Sequence, residues 1–221
     1  LYEAQFETGF EYLLDVVDYF KKSGEPTWYA RILNSFGFGY GNMGRFDRAV
    51  DYFVEGLSVV RANKIDEMAV YLICNLAEIY LEPSIGKYNE AYTLLSEADE
   101  IEKMEEHQIM PLAKAYMAYS SERMGNWEQA GIHIAEAVEL ASHCKDLNSV
   151  DQCYHFLGET YYNHGEYKNA IEITKRSIEK QLSYSEKYGL TSNYYLLAKC
   201  CYESRDLENA KDYAILAMEN A

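Results

Sequence analysis

Along the chain, a large apolar residue followed at once by a small one returns at a fixed interval. Phe36-Gly37, Leu76-Ala77, Met117-Ala118, Leu157-Gly158 and Leu197-Ala198 place the small residues 40, 41, 40 and 40 positions apart. Two further series follow at steps of 42, 39, 40 and 40: Ala49, Ala91, Ala130, Ala170 and Ala210, then Gly56, Ala98, Ala137, Ser177 and Ala217. Self-similarity of this kind marks a repeat architecture. Between the first and second series lies a turn, Gly44-Arg45-Phe46, Gly86-Lys87-Tyr88, Gly125-Asn126-Trp127 and Gly165-Glu166-Tyr167. The fifth copy has Arg205-Asp206-Leu207 there, where Asp206 can cap the following helix. The second copy carries two extra residues in its turn, around Pro83. Each unit therefore reads as a helix, a tight turn and a second helix, with small residues where the two helices cross closely.

Residues 1–24 fit as half a unit. Stepping back 40 positions from Phe46, Ala49, Phe53 and Gly56 lands on Phe6, Gly9, Leu13 and Val16, the pattern of a second helix without its partner. The expected organisation is this half unit followed over 25–221 by five pairs, near 30–66, 67–108, 109–148, 149–188 and 189–221. That makes eleven helices in a single solenoid domain. The missing partner and the missing initiator Met lead us to expect a piece of a longer protein. Phe6, Phe10, Leu13, Val17 and Phe20 would form an apolar stripe through which the isolated chain self-associates.

The unit resembles the tetratricopeptide repeat (TPR). The fourth copy, YHFLGETYYNHGEYKNAIEI, carries the resemblance best, with Tyr154, Leu157, Gly158, Tyr161, Gly165, Tyr167 and Ala170 in the family's positions. Two features depart from the family pattern: the unit is near 40 residues rather than the usual 34, and the Pro that ends it is absent. The resemblance implies an all-α, right-handed superhelix of antiparallel pairs whose first helices line a concave groove. Long units of this kind resemble sensory regions of bacterial signalling proteins: diguanylate cyclases with a GGDEF domain, histidine kinases and peptide-sensing regulators.

Residues two, five, nine, twelve and thirteen of each unit are the family's groove positions. They supply the candidates Asn34 and Phe38; Tyr71 and Glu78; Tyr119 and Arg123; Gln152, His155, Glu159 and Tyr162; and Tyr195, Lys199 and Tyr202, with Asn75 at the border. The same rule places Cys74, Leu112 and Ala115 there. Five of the 25 positions are tyrosines, residues suited to adaptable peptide recognition. The alternative is that Tyr, 22 in the chain, is simply its habitual large residue. The carboxylate clamp of co-chaperone TPRs (Lys, Asn, Asn, Lys, Arg) would fall on Asn34, Phe38, Asn75, Leu112 and Tyr116. Only Asn75 matches, which argues against chaperone-tail binding.

Charge narrows the partners. With 20 Lys+Arg against 36 Asp+Glu, the net charge is −16, opposed to nucleic acid and to anionic membrane surfaces. No apolar run approaches the ~18 residues of a membrane span. Five cysteines, an odd number with no C-x-x-C spacing, fit a reducing, cytoplasmic setting.

Candidate chemistry is sparse. Gly37-Phe38-Gly39-Tyr40-Gly41 looks like a phosphate loop, yet it lies within a helix. Gly37 is the packing position, while Gly39 and Gly41 either make room for a ligand or mark a weak spot. His155 and Glu159 share a helical face, as two metal ligands might, but no second His joins them. Cys200-Cys201 reads as small core residues with no neighbouring cation to activate a thiol. The acidic run Glu97 to Glu106 reads as a solvated face. No cofactor, metal or catalytic set is expected. The leading expectation is a non-catalytic sensory or regulatory module that binds a peptide or protein segment. The alternatives are a constitutive protein-protein scaffold and a peptide-sensing transcriptional or phosphatase regulator.

Overall fold

A computed structural model describes residues 16–102, 108–183 and 189–221. The stripe residues Phe6, Phe10 and Leu13, and the end of the acidic run, lie outside these. Among the described residues every regular element is helical. The chain divides into two compact units, residues 1–107 and 108–221.

The N-terminal unit contains α1 (16–23), α2 (Pro26–Asn42), α3 (Phe46–Asn63), α4 (Asp66–Leu81) and α5 (Tyr88–Glu102). The C-terminal unit contains α6 (Met110–Arg123), α7 (Trp127–His143), α8 (Leu147–Asn163), α9 (Tyr167–Ser183), α10 (Leu190–Glu203) and α11 (Leu207–Glu219). Each helix from α2 onward packs most closely on its partner across the short turn. Contacts of α3 on α4, α6 on α8 and α9 on α10 then stack the pairs within each unit.

The turns close as their residues dictate. After α8, Gly165 takes the left-handed conformation (φ 84°), and its N–H and that of Glu166 bond back to the carbonyls of Tyr162 and Tyr161 at 3.0 and 2.9 Å. This helix-ending pattern ordinarily recruits glycine. In the fifth turn Arg205 adopts the same conformation (φ 66°) with the same backbone bonds, and Asp206 caps α11 by accepting from the Asn209 N–H.

Of the fifteen small positions all but Ala210 are buried. A Cβ added to Gly37 would come within 2.5 Å of the Phe53 ring, and one on Gly56 within 3.0 Å of Leu72. These close approaches let large neighbours such as Phe36, Phe53, Leu57, Leu72 and Leu157 fill each core almost without exposure. Gly41 belongs to the same packing: a Cβ there would meet Ile79 at 3.0 Å, so it sets the approach of α2 to α4. Gly39 is buried as well.

Candidate functional site

In the N-terminal unit, Tyr71, Asn75 and Glu78 follow one another at helical spacing on α4, and Asn34 and Phe38 do so on α2. Asn75 donates to Asn34 Oδ1 at 2.8 Å, which joins the two stripes into one face. Asn34 and Asn75 thus spend one polar group each on one another. Phe38 is 52% exposed on this face, although a core would normally claim a phenylalanine.

In the C-terminal unit, Gln152, His155, Glu159 and Tyr162 run along α8, and Tyr195, Lys199 and Tyr202 along α10. The Lys199 ammonium sits 4.1 Å from the Tyr162 ring centroid and 5.5 Å from that of Tyr195, tying the two helices together through cation-π contacts. Tyr195 and Tyr202 are 61% and 63% exposed. Burial and then the Glu203 carboxylate raise the pKa of Tyr162, so its hydroxyl keeps its proton at physiological pH.

The third unit differs from the groove rule. Tyr119 is only 5% exposed, and Leu112 and Ala115 are buried with it. Phe156 of α8 stands edge-on to the rings of both Tyr116 and Tyr119, at 4.6 and 5.9 Å. Tyr119 is therefore a packing residue here, while Arg123 at the end of α6 is exposed. Cys74 is buried in the N-terminal unit.

One ring nitrogen of His155 has a structural task. Its Nδ1 lies 2.7 Å from Asn193 Oδ1, while the Asn193 amide donates to Ser177 Oγ (2.7 Å) and Gln181 Oε1 (3.1 Å). Those donations fix Asn193 Oδ1 as an acceptor, so Nδ1 of His155 carries the proton. Gln181 and Ser177 both donate to Asp151, completing a buried polar network across α8, α9 and α10. Its hydrogen-bonded partners stand on different helices, 12 to 38 residues apart in the chain, so the spacing along one helix does not reveal the bonds.

The thiols are quiet. Burial pushes Cys200 up to about 12, with Cys201 adding to the shift. Lys199 does adjoin this thiol, contrary to the expectation of no neighbouring cation, and it acts to lower the pKa. Burial outweighs it. Cys74 and Cys153 are raised by burial too. Among the described residues no cluster of three His, Cys, Asp or Glu side chains could hold a metal, and no helix is long and apolar enough to cross a membrane.

A cleft of about 410 Å³ opens between α10 and α11, with Tyr162, Lys199, Tyr202, Leu207 and Lys211 on its walls. Leu207 and Lys211 lie on a second helix, which the groove rule does not count. A signal for Lys211 exists in the sequence. The residue after the second-series small position is Val50, Tyr92, Gly131 and Ile171 in the other units, and only here is it charged.

Paired helices at a constant step, crossing on small residues, define an α-helical repeat protein. The chain resembles the tetratricopeptide repeat family, whose model matches residues 151–179, most of α8 and α9. A second family model, described as Anaphase-promoting complex subunit 5, matches residues 1–110 and 79–163. No curated protein matches in sequence. Among solved structures, the apo form of RapI is 15% identical with a TM-score of 0.79, over 98% of this chain and 77% of its own. BtubC from P. vanneervenii is 15% identical with a TM-score of 0.68, over 100% and 91%. Aspartyl phosphate phosphatase F from Bacillus subtilis is 18% identical with a TM-score of 0.64, over 93% of this chain and 54% of its own. At such identities the likeness is one of fold.

Proposed function

We propose that the chain is a non-catalytic module that binds a peptide or protein segment along its first-helix faces. These are Asn34, Phe38, Tyr71, Asn75 and Glu78 in the N-terminal unit, and Arg123, Gln152, His155, Glu159, Tyr162, Tyr195, Lys199 and Tyr202 in the C-terminal unit. The observation that carries this reading is the exposure of Phe38, Tyr195 and Tyr202 on those faces. Large rings left in water on a first helix are poor for a solvated surface and good for contact with a ligand. The module would serve as the sensory or regulatory region of a cytoplasmic signalling protein, for which a GGDEF diguanylate cyclase is one form of parent. Likeness of fold to RapI and to aspartyl phosphate phosphatase F supports a peptide-sensing regulator as one version of this reading.

A constitutive scaffold is the second reading, favoured by the match to a family described as a subunit of a large complex. The test is a selection of random phage-displayed peptides on the chain, followed by affinity measurements on the peptides recovered. Phe38→Ala or Tyr195→Ala should weaken the peptides bound at the respective face about tenfold. Val54→Ala and Ile132→Ala, on exposed second-helix positions, should leave them unchanged. Equal losses in all four variants would overturn the assignment of these faces. Small-angle scattering with and without peptide separates the two readings, since a scaffold keeps its dimensions and a sensor does not.

A further inference from the structure

The polar network of the C-terminal unit has a direction, and Asp151 sets it. Buried on α8, this side chain can only accept hydrogen bonds as a carboxylate. The Ser177 hydroxyl donates to its Oδ1, and the Gln181 amide nitrogen donates to its Oδ2 at 2.9 Å. Ser177 has then spent its proton, and Gln181 turns its Oε1 the other way, so both present acceptors to Asn193. Asn193 must aim its amide nitrogen at them and its Oδ1 at His155, whose Nδ1 lies 2.7 Å away. The donors therefore run in one sense from His155 to Asp151, and His155 Nδ1 holds the first proton of the chain.

The consequence falls on the opposite edge of the imidazole. A neutral ring protonated at Nδ1 leaves Nε2 as a bare acceptor, turned away from the bond at Nδ1. Nε2 makes no hydrogen bond among the described residues, and the ring is half-buried on the first-helix face of α8. Glu159 stands one turn on along that face, also half-buried, with no cation among the described residues within ion-pair distance. Lys199, its counterpart in the next unit, is held over the rings of Tyr162 and Tyr195 instead.

We infer that His155 Nε2 and the Glu159 carboxylate together hold a primary ammonium of the bound peptide, supplied by its N-terminus or by a lysine side chain. The inference rests on the peptide-binding reading above and adds the chemical group that the C-terminal unit recognises. Side chains at this spacing leave the helix about 5–6 Å apart, close enough for one small group to reach both. An ammonium has three donors and a positive charge, so it can bond to the imidazole and pair with the carboxylate at once; a backbone amide has one donor and no charge. The network already fixes the imidazole, so little side-chain freedom is lost on binding.

The test uses the peptides recovered by phage selection on the intact chain and weakened by Tyr195→Ala, at about pH 7.2, between the ordinary ranges of an imidazole and a terminal amine. Acetylating the N-terminus and replacing lysine by norleucine remove the two ammonium sources in turn. One of the two changes should weaken binding about tenfold and so name the source. Glu159→Gln should weaken the ammonium-bearing peptide to a similar degree, while its affinity for the ammonium-free analogue changes by less than about twofold. Nitrogen-15 NMR of the histidine rings reads His155 directly, without a variant that would disturb the network. It should show Nδ1 protonated and Nε2 bare in the free chain, with the Nε2 resonance moved by the peptide and not by its ammonium-free analogue. A proton on Nε2 in the free chain, or peptides indifferent to both ammonium changes, overturn this inference and leave the groove reading standing. A selection that yields no binder overturns both. Binding abolished by EDTA would overturn the ammonium in favour of a metal ion bridging the two side chains.

Discussion

Gly37 and Gly131 both sit inside helices, yet a methyl group should act on them in opposite directions. At Gly37 the new Cβ would press on Phe53, a ring 1% exposed with no room to turn, so Gly37→Ala should cost about 1–3 kcal/mol. At Gly131, exposed on α7, nothing lies within 4 Å, and the gain is the helix propensity of alanine, about 0.5–1 kcal/mol. Urea unfolding of the two variants measures both signs. Glu122 carries a pH prediction. Burial, opposed by Arg123 and His164, raises its pKa, and its buried Oε2 has no hydrogen-bond partner among the described residues. A carboxyl whose folded-state pKa exceeds its unfolded value contributes stability below the unfolded value and loses it as pH rises through the folded one. Glu122→Gln should therefore melt above the parent at pH 7, with the gap closing as the pH falls below the ordinary carboxylate range.

Helix crossings were legible in the sequence because steric exclusion at a crossing leaves only Ala, Gly or Ser, and that demand repeats with the fold. Ala170, fully buried between Leu196 and Cys200, is one such position. Ala170→Leu should overpack it at a cost of about 1–3 kcal/mol, read from the urea midpoint, and an unchanged midpoint would refute the crossing. Which first-helix faces stay open was less legible. The groove rule assigns a face by position in the unit, whereas exposure depends on what the neighbouring helix brings. Phe156 reaching over to Tyr116 and Tyr119 is invisible in the spacing of α6. Two serines and a lysine on α6, Ser120, Ser121 and Lys114, are buried, which removes the polar contrast that would mark an amphipathic helix. The cleft at α10 and α11 went unread for the converse reason, since half of it stands on a second helix.

For the whole molecule, composition and periodicity together bound the partners. Net charge −16 still opposes nucleic acid. Repeat proteins draw stability from neighbouring units, so compact units with separate cores need not unfold together. The two tryptophans fall one in each unit. Trp28 is exposed beside Phe20 and Arg31, whereas Trp127 is half-buried and lies flat against the His164 imidazole at 3.7 Å. The chain thus carries two optical reporters of different colour: a red-shifted indole in water for the N-terminal unit, and a blue-shifted, imidazole-stacked one for the C-terminal unit. Trp28→Phe and Trp127→Phe would each leave one lamp lit. Their emission during denaturation should trace two separate midpoints, and a single shared midpoint would show that the two units melt as one.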